Sequence, residues 1–314
     1  MLLLGLGDGL EDNREAVRLS LEVGDPFAAV ALVNLAGLVW ENEGPAPALP
    51  LYYESIAFAQ RRGISGSLRW AKAETTWMYY DLGQWDQIAE VVDEVVASDP
   101  ERSQVSFLCL PYVALTKVWR GELDDAVTMV QEILPRSREI HDPQILLPAL
   151  EVAALVAWRL GDTDQAVQLI EEYERETEGR PTWRAMYLPS LVRILTSTDR
   201  VAHAERLIEG AAEYGARRAG CLASARAIMT EGKGEVESAA ALYDDAAARW
   251  AQFGHVLERA QALLGAGRCL IEMGRTGDAG RRLREARELF VSLDARPLID
   301  ETDQLLARAT ALTS

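Results

Sequence analysis

The sequence predicts an all-α solenoid, a stack of helix pairs in one elongated domain. Three in-phase observations carry that prediction. A turn residue recurs as Gly44, Gly83, Gly121, Gly161, Asp199, Gly234 and Gly274, at separations of 39, 38, 40, 38, 35 and 40 residues. Five residues after each turn stand Leu49, Ile88, Ala126, Ala166, Ala204, Ala239 and Ala279. Nine residues after it stand Tyr53, Val92, Val130, Ile170, Ile208, Tyr243 and Leu283. A fixed period of this size marks stacked supersecondary units. The unit is plainest at residues 158–170: one helix ends, the chain turns at Gly161, and a second helix begins. Glycine tolerates the backbone angles of such a turn. Ala166 supplies a small side chain where the second helix crosses the first.

Taken in order, residues 1–9 read as the tail of a helix. Glu11 to Val23 follows as half a repeat, with Ala16, Leu19 and Val23 as its apolar face and Gly24-Asp25-Pro26 as its stop. Pro26 opens a helix running to about Trp40, since proline suits a first turn. Gly44-Pro45-Ala46-Pro47 is the most irregular turn, and Leu51 to Gln60 continues beyond it. Ser65 to Leu82 is long and aromatic, and Asp86 to Val96 completes its pair. Glu101 to Arg120 pairs with Glu122 to Glu139. Asp142-Pro143 opens the helix that pairs with Thr163 to Glu176, and the acidic run from Glu171 to Glu178 reads as a solvated face. Pro181 opens the fifth pair, which turns at Asp199. Glu213 to Gly220, with Arg217 and Arg218, reads as a short loop before Ala223 to Thr230 and Glu235 to Phe253. Val256 to Met273 pairs with Asp278 to Leu293. Pro297 starts a closing helix, about 296–312, with Leu298, Leu305 and Leu306 as its buried stripe. The domain reading is therefore one solenoid over 1–314, with a partial repeat at 1–25.

Composition agrees with this. The chain has 314 residues and is 49% hydrophobic. A single compact core stops growing at about 250–300 residues, a limit a solenoid escapes because each repeat packs on its neighbours. The net charge of −17 argues against direct binding of nucleic acid or an anionic membrane. Cys109, Cys221 and Cys269 are scattered, which suggests neither disulfides nor a zinc site. No run of about 18 apolar residues reads as a membrane span. Residues 1–7 are apolar but lack the basic start and cleavage site of a signal peptide. The expectation is a cytoplasmic protein.

The turn-to-alanine spacing, with Asp164-Gln165-Ala166 and Asp124-Asp125-Ala126, resembles the second half of a tetratricopeptide repeat. The small residue seven positions before the turn appears as Ala114, Ala154, Ala227 and Gly267 but departs as Thr76 and Val192. The period exceeds the usual ~34 residues, so this is a degenerate, lengthened form. The resemblance implies a right-handed superhelix of about seven helix pairs, with the first helix of each pair on the concave side. Two segments, residues 142–162 and 253–302, resemble the helical-repeat region of large bacterial regulators, with nucleotide-switch and LuxR-type or cyclase domains beside it. That implies a sensor or interaction arm.

Catalytic signals are weak. Residues 231–234 (EGKG) form a turn with a lysine, without the GxxxxGK[ST] spacing of a phosphate loop. His141, His203 and His255 fall in different repeats, and no HExxH or GxSxG occurs. No cofactor and no metal are expected. Arg281, Arg282, Arg284 and Arg287 interleave with Glu285 and Glu288 at the spacing of local ion pairs.

The functional feature is geometric. Counting back 13, 10, 6, 3 and 2 residues from each turn follows one helix face. It selects Trp70, Trp77, Tyr80 and Asp81 before Gly83, Trp119 before Gly121, and Glu151, Trp158 and Arg159 before Gly161. It also selects Arg193 before Asp199, Arg268 before Gly274, and Asn34 and Glu41 before Gly44. Four tryptophans and a tyrosine on one inner surface would form a stacking platform; the competing reading is that they fill gaps between lengthened repeats. The resulting expectation is a non-enzymatic recognition scaffold in a bacterial regulator. Its groove would bind a neutral or cationic organic ligand, or a protein or peptide partner. A free-standing adaptor and an enzyme with its active site in the groove are the alternatives. The apolar residues 1–9 suggest an edge that is either covered by upstream sequence or used for self-association.

Overall fold

The structure, a computed structural model, describes residues 9–312. Seventeen helices and, among the described residues, no strand make up the chain. A single helix, α1 (Gly9–Glu22), precedes seven pairs. These are α2 (Ala28–Glu43) with α3 (Pro45–Arg62), α4 (Ser65–Asp81) with α5 (Trp85–Ala97), and α6 (Gln104–Arg120) with α7 (Leu123–Ile140). Next come α8 (Pro143–Arg159) with α9 (Thr163–Glu176), then the broken helix α10 (Pro181–Arg184) and α11 (Leu188–Ser197) with α12 (Val201–Glu209). The last are α13 (Gly215–Gly232) with α14 (Val236–Phe253), and α15 (Val256–Glu272) with α16 (Thr276–Ser292); α17 (Arg296–Ala311) closes the array.

Every turn residue picked from the sequence has positive φ, from 56° at Asp199 to 105° at Gly44. The five alanines that follow, Ala126, Ala166, Ala204, Ala239 and Ala279, are wholly buried at the helix crossings. The first pair departs by one residue. Elsewhere the second helix starts two residues after the turn, but α3 starts at Pro45, directly after Gly44. Its buried positions move back accordingly, to Ala48 and Tyr52, and Tyr53 is exposed. In the fifth pair, Pro189 has no N–H to give and its ring would crowd the Ala185 carbonyl, so α10 and α11 separate there.

Two local expectations need correction. α1 buries Val17 and Ser20, whereas Leu19 and Val23 are exposed on the side away from α2. Residues 215–220 are helical: α13 begins at Gly215, and Arg217 and Arg218 are buried in its first turns. Three of the four arginines of α16 are ion-paired, but with partners other than Glu285 and Glu288. Arg281 pairs with Asp278, Arg282 with Asp244 of α14 and Arg287 with Asp303 of α17, while Glu285 takes Arg259 of α15.

The first helices of the pairs form an inner ring in which α2, α4, α6, α8, α11 and α13 touch in succession. The ring then meets its own beginning, because α13 packs against α2 and α17 against α6. One superhelical turn thus takes five pairs, and the sixth and seventh lie against the first and second. Glycines set the closeness of that contact. A Cβ on Gly44 would stand 2.2 Å from the Phe253 carbonyl oxygen, and one on Gly83 would stand 2.6 Å from the Leu293 side chain. These contacts join residues 253−44=209 and 293−83=210 positions apart.

Replacing Gly44 with alanine tests this closure. The expected cost is ~1–3 kcal/mol beyond that of Gly161→Ala. Both positions have positive φ, but a Cβ on Gly161 meets nothing within 4 Å. Denaturant unfolding compares the two. Equal destabilisation would mean that the Gly44 contact contributes nothing.

Candidate functional site

The inner ring encloses the superhelix axis, and most of the sequence-selected positions line cavities along it. The axis is plugged at its centre by charged side chains from opposite walls. From α4, the Asp81 carboxylate, only 1% exposed, accepts from Trp40 Nε1 at 2.7 Å. From the facing wall, His255 Nε2 stands 3.3 Å from Asp81 Oδ1, and Arg217 Nε 3.7 Å from Oδ2. The Arg217 guanidinium lies 4.6 Å over the Trp40 ring, a cation–π arrangement. Glu41 of α2 meets Arg218 Nη1 at 2.6 Å. Arg193 of α11 forks onto Glu258 of α15 at 2.9 and 2.6 Å. Burial pushes the His255 imidazole below its usual range, and it pushes the Glu41 carboxyl up. Burial also works against the Glu258 charge, but the Arg193 fork holds that carboxyl low.

Three cavities follow the axis. The inner one is small and is lined by Tyr80, Glu151, Arg217, His255 and Glu258 among others. On one side it shares Tyr112, Met186 and Tyr187 with an aromatic recess of about 50 Å³ that includes Trp40, Glu41, Glu74 and Trp77. On the other side, Tyr80 accepts from Trp119 Nε1 at 2.9 Å, and Glu258 holds Arg193. Trp119 and Arg193 line the third and widest cavity, about 390 Å³.

That wide mouth gathers Trp119, Trp158, Arg159, Arg193 and Arg268 from the predicted positions. It adds Tyr243, Gln261, Glu231 and Glu301, which were not selected. Arg268 grips Glu231 with two bonds of 2.9 Å and reaches Glu301 at 3.1 Å. Trp158 is half-buried and Arg159 exposed. Arg159 has no ion-pair or hydrogen-bond partner among the described residues. Trp77 lines the opposite recess, Tyr80 and Glu151 the inner cavity, and Asp81 sits in the plug. Trp70 is half-buried and donates to Glu74 at 2.6 Å. The selected residues therefore spread along the axis, and Trp77, Tyr80 and Trp119 are buried because the second superhelical turn stands across from them.

Arg217 and Arg218 escaped the sequence reading because their segment looked like a loop. Stepping back one more helical turn, from offset 13 to 17, would have reached Arg217 (234−17=217). Among the described residues no group of three or more His, Cys, Asp or Glu could hold a metal, and the three cysteines are buried and free.

No protein-family model matches the chain, and no curated protein matches it. Among solved structures, it is similar to a tetratricopeptide repeat protein from Parabacteroides merdae, at 14% identity. That match covers 76% of this chain and 97% of the other, with a TM-score of 0.40. It is also similar to the TPR2AB domain of yeast Sti1, solved as a complex with pHSP90. There the identity is 15%, the cover 78% and 99%, and the TM-score 0.33. The repeat spacing and the seven observed pairs make the fold a tetratricopeptide-like solenoid.

Glu151 provides a pH test of the plug. Burial lifts its carboxyl to about 8, against the opposing pull of Ser190 and Arg217. The unfolded chain releases that proton near the ordinary carboxyl range, so the folded state binds more protons in between. Stability should fall as pH rises from about 5 to about 8, by up to ~1.4 kcal/mol per unit. Glu151→Gln should flatten this slope and melt higher than the natural protein at pH 8, with little difference at pH 5. Parallel melting curves for the two at both pH values would refute a buried neutral carboxyl.

Proposed function

We propose that the chain is a non-enzymatic recognition scaffold that receives an organic molecule or short peptide segment at the wide mouth of its axis. The observation that carries this reading is the convergence there of Trp119, Trp158, Tyr243 and Arg159 from separate repeats on a cavity of about 390 Å³. A large apolar wall with few polar groups is how ligand sites are usually built. Arg193 is paired by Glu258, and Arg268 by both Glu231 and Glu301, so with Arg159 the mouth has three guanidiniums and three carboxylates. Arg159 is the one of these without an ion-pair partner among the described residues, which favours a ligand carrying an acidic or carbonyl group beside an apolar body. The cationic ligand considered from the sequence finds no free carboxylate at this mouth. As in the resemblance drawn from residues 142–162 and 253–302, the scaffold would serve as the sensor arm of a larger cytoplasmic bacterial regulator, with a free-standing adaptor as the alternative.

The probe for this site is 8-anilinonaphthalene-1-sulfonate, an aromatic anion whose fluorescence reports apolar surroundings. It should bind the folded protein, and both Trp158→Ala and Arg159→Ala should weaken it about tenfold while leaving the helical spectrum and melting temperature unchanged. Neither side chain is fully buried, so neither change should unfold the chain. Absent binding, or binding indifferent to both substitutions, would remove the wide mouth as the site.

A second surface bears on self-association. Residues 1–8 lie outside the described residues, but the adjoining end of the solenoid exposes Leu19, Val23, Phe27 and Val30. Exposed apolar side chains clustered at one place favour contact with a partner surface, and we propose that two copies pair through this patch. Sedimentation should show a dimer that Val23→Glu with Phe27→Glu dissociates; a monomer at all concentrations would refute this.

A further inference from the structure

The opposite recess has a chemistry of its own. Six rings, Trp40, Trp77, Tyr112, Trp183, Tyr187 and Tyr214, line it together with the carboxylates Glu41 and Glu74 and the guanidinium of Arg218. The faces of two of these rings already take cations: Arg217 lies over Trp40 at 4.6 Å and Arg218 over Tyr214 at 5.3 Å. Those two cations are spent. Arg218 faces Glu41 at 2.6 Å, and Arg217 faces Asp81 at 3.7 Å. Glu74 has no such partner. Its Oε1 accepts from Trp70 Nε1 at 2.6 Å and its Oε2 from Tyr52 Oη at 2.8 Å, both neutral donors. A carboxylate offers about four acceptor sites, so capacity remains.

The geometry points to this recess as a binding site for an organic ammonium ion of the trimethylammonium type, with Glu74 as its counter-charge. Aromatic walls attract such a cation through their ring faces, and the attraction grows when water is excluded. Size agrees. A water takes roughly 10–15 Å³ of such space, so about 50 Å³ holds on the order of four or five small heavy atoms, the bulk of a trimethylammonium head. The site is separate from the wide mouth: the two cavities share no lining residue.

Burial raises the Glu74 carboxyl to about 7. A bound cation would draw it back toward the ionised form, so binding should release a proton below neutrality. The groups facing Glu74 are Tyr52 from α3, Glu41 from α2, Tyr112 from α6, Tyr187 and Tyr214 at the starts of α11 and α13, and Arg218 from α13. Burial holds the Tyr52, Tyr112 and Tyr187 hydroxyls above the ordinary range, and Arg218 keeps its charge on Glu41. Burial lifts the Glu41 carboxyl as well, against the pull of Arg218, so the Glu74→Gln variant decides which of the two carboxyls a bound cation titrates.

Choline and its neutral carbon isostere, 3,3-dimethyl-1-butanol, have the same shape and differ in charge. Calorimetric titration of the full chain should show choline binding about tenfold or more tighter than the isostere. Its affinity should rise up to tenfold per pH unit below 7 and level off above. Glu74→Gln should abolish the pH dependence and cut the charge preference to what the ring faces alone supply. Trp183→Ala, a half-buried ring at the recess, should weaken choline without changing the melting temperature. No choline binding at millimolar concentration, equal affinity for the isostere, or a pH-independent affinity would each overturn the assignment. Should Glu74→Gln fail to fold, Trp183→Ala and the pH profile of the natural protein decide. Loss of 8-anilinonaphthalene-1-sulfonate binding at the wide mouth has no bearing on this result.

Discussion

The meeting of Asp81 with Arg217 and His255 across the axis is the contact on which the rest of the molecule depends. A solenoid has no intrinsic reason to close, because each repeat is satisfied by its neighbours. Here a carboxylate 1% exposed on α4 requires a counter-charge from the second superhelical turn. Taking away Asp81 or Arg217 leaves a buried charge uncompensated, which costs about 3–5 kcal/mol. The same pairs convert an open groove into a plugged axis with two mouths. The position of α13 over α2 is therefore fixed by charge complementarity as well as by apolar packing.

The division of the axis separates two kinds of chemistry. At the wide mouth Arg193 and Arg268 are engaged by Glu258, Glu231 and Glu301, and Arg159 is the guanidinium without a partner among the described residues. At the aromatic recess the arginines are consumed by Glu41 and Asp81, and one carboxylate is left over at Glu74. The plug keeps them apart, for Glu258 and Asp81 stand between. The acidic net charge of −17 does not describe either mouth, whose character is set by single uncompensated groups.

The repeat was legible in the sequence from the second pair onward because it rests on local rules. Each turn residue had to adopt positive φ, and each crossing needed a small side chain; Asp199 and Ala204 satisfy those rules as well as Gly161 and Ala166 do. Periodicity of 3.6 residues marked one face of each helix, while the tetratricopeptide resemblance supplied which helix of each pair lies inside. Closure was not legible. Whether α13 meets α2 depends on small rotations summed over five pairs, which no local pattern records. For that reason Arg217 and Arg218 looked like loop residues, and the sequence left open whether Trp77 and Trp119 line a groove or fill gaps between repeats. The one-residue shift around Gly44 was hidden similarly, because Leu49 and Tyr53 keep an apolar pattern that the early start of α3 displaces to Ala48 and Tyr52.

The bare backbone of Gly44 against the Phe253 carbonyl constrains how such a chain can change in length over generations. Open arrays gain and lose whole repeats freely, since a new unit only extends the stack. In this chain a duplication anywhere between residues 44 and 253 would carry the α14–α15 corner past its seat and strand Asp81 opposite the wrong helix. Five pairs between the contacting segments is thus a closed count, like the residues in a ring, and drift in repeat number is confined to the two ends.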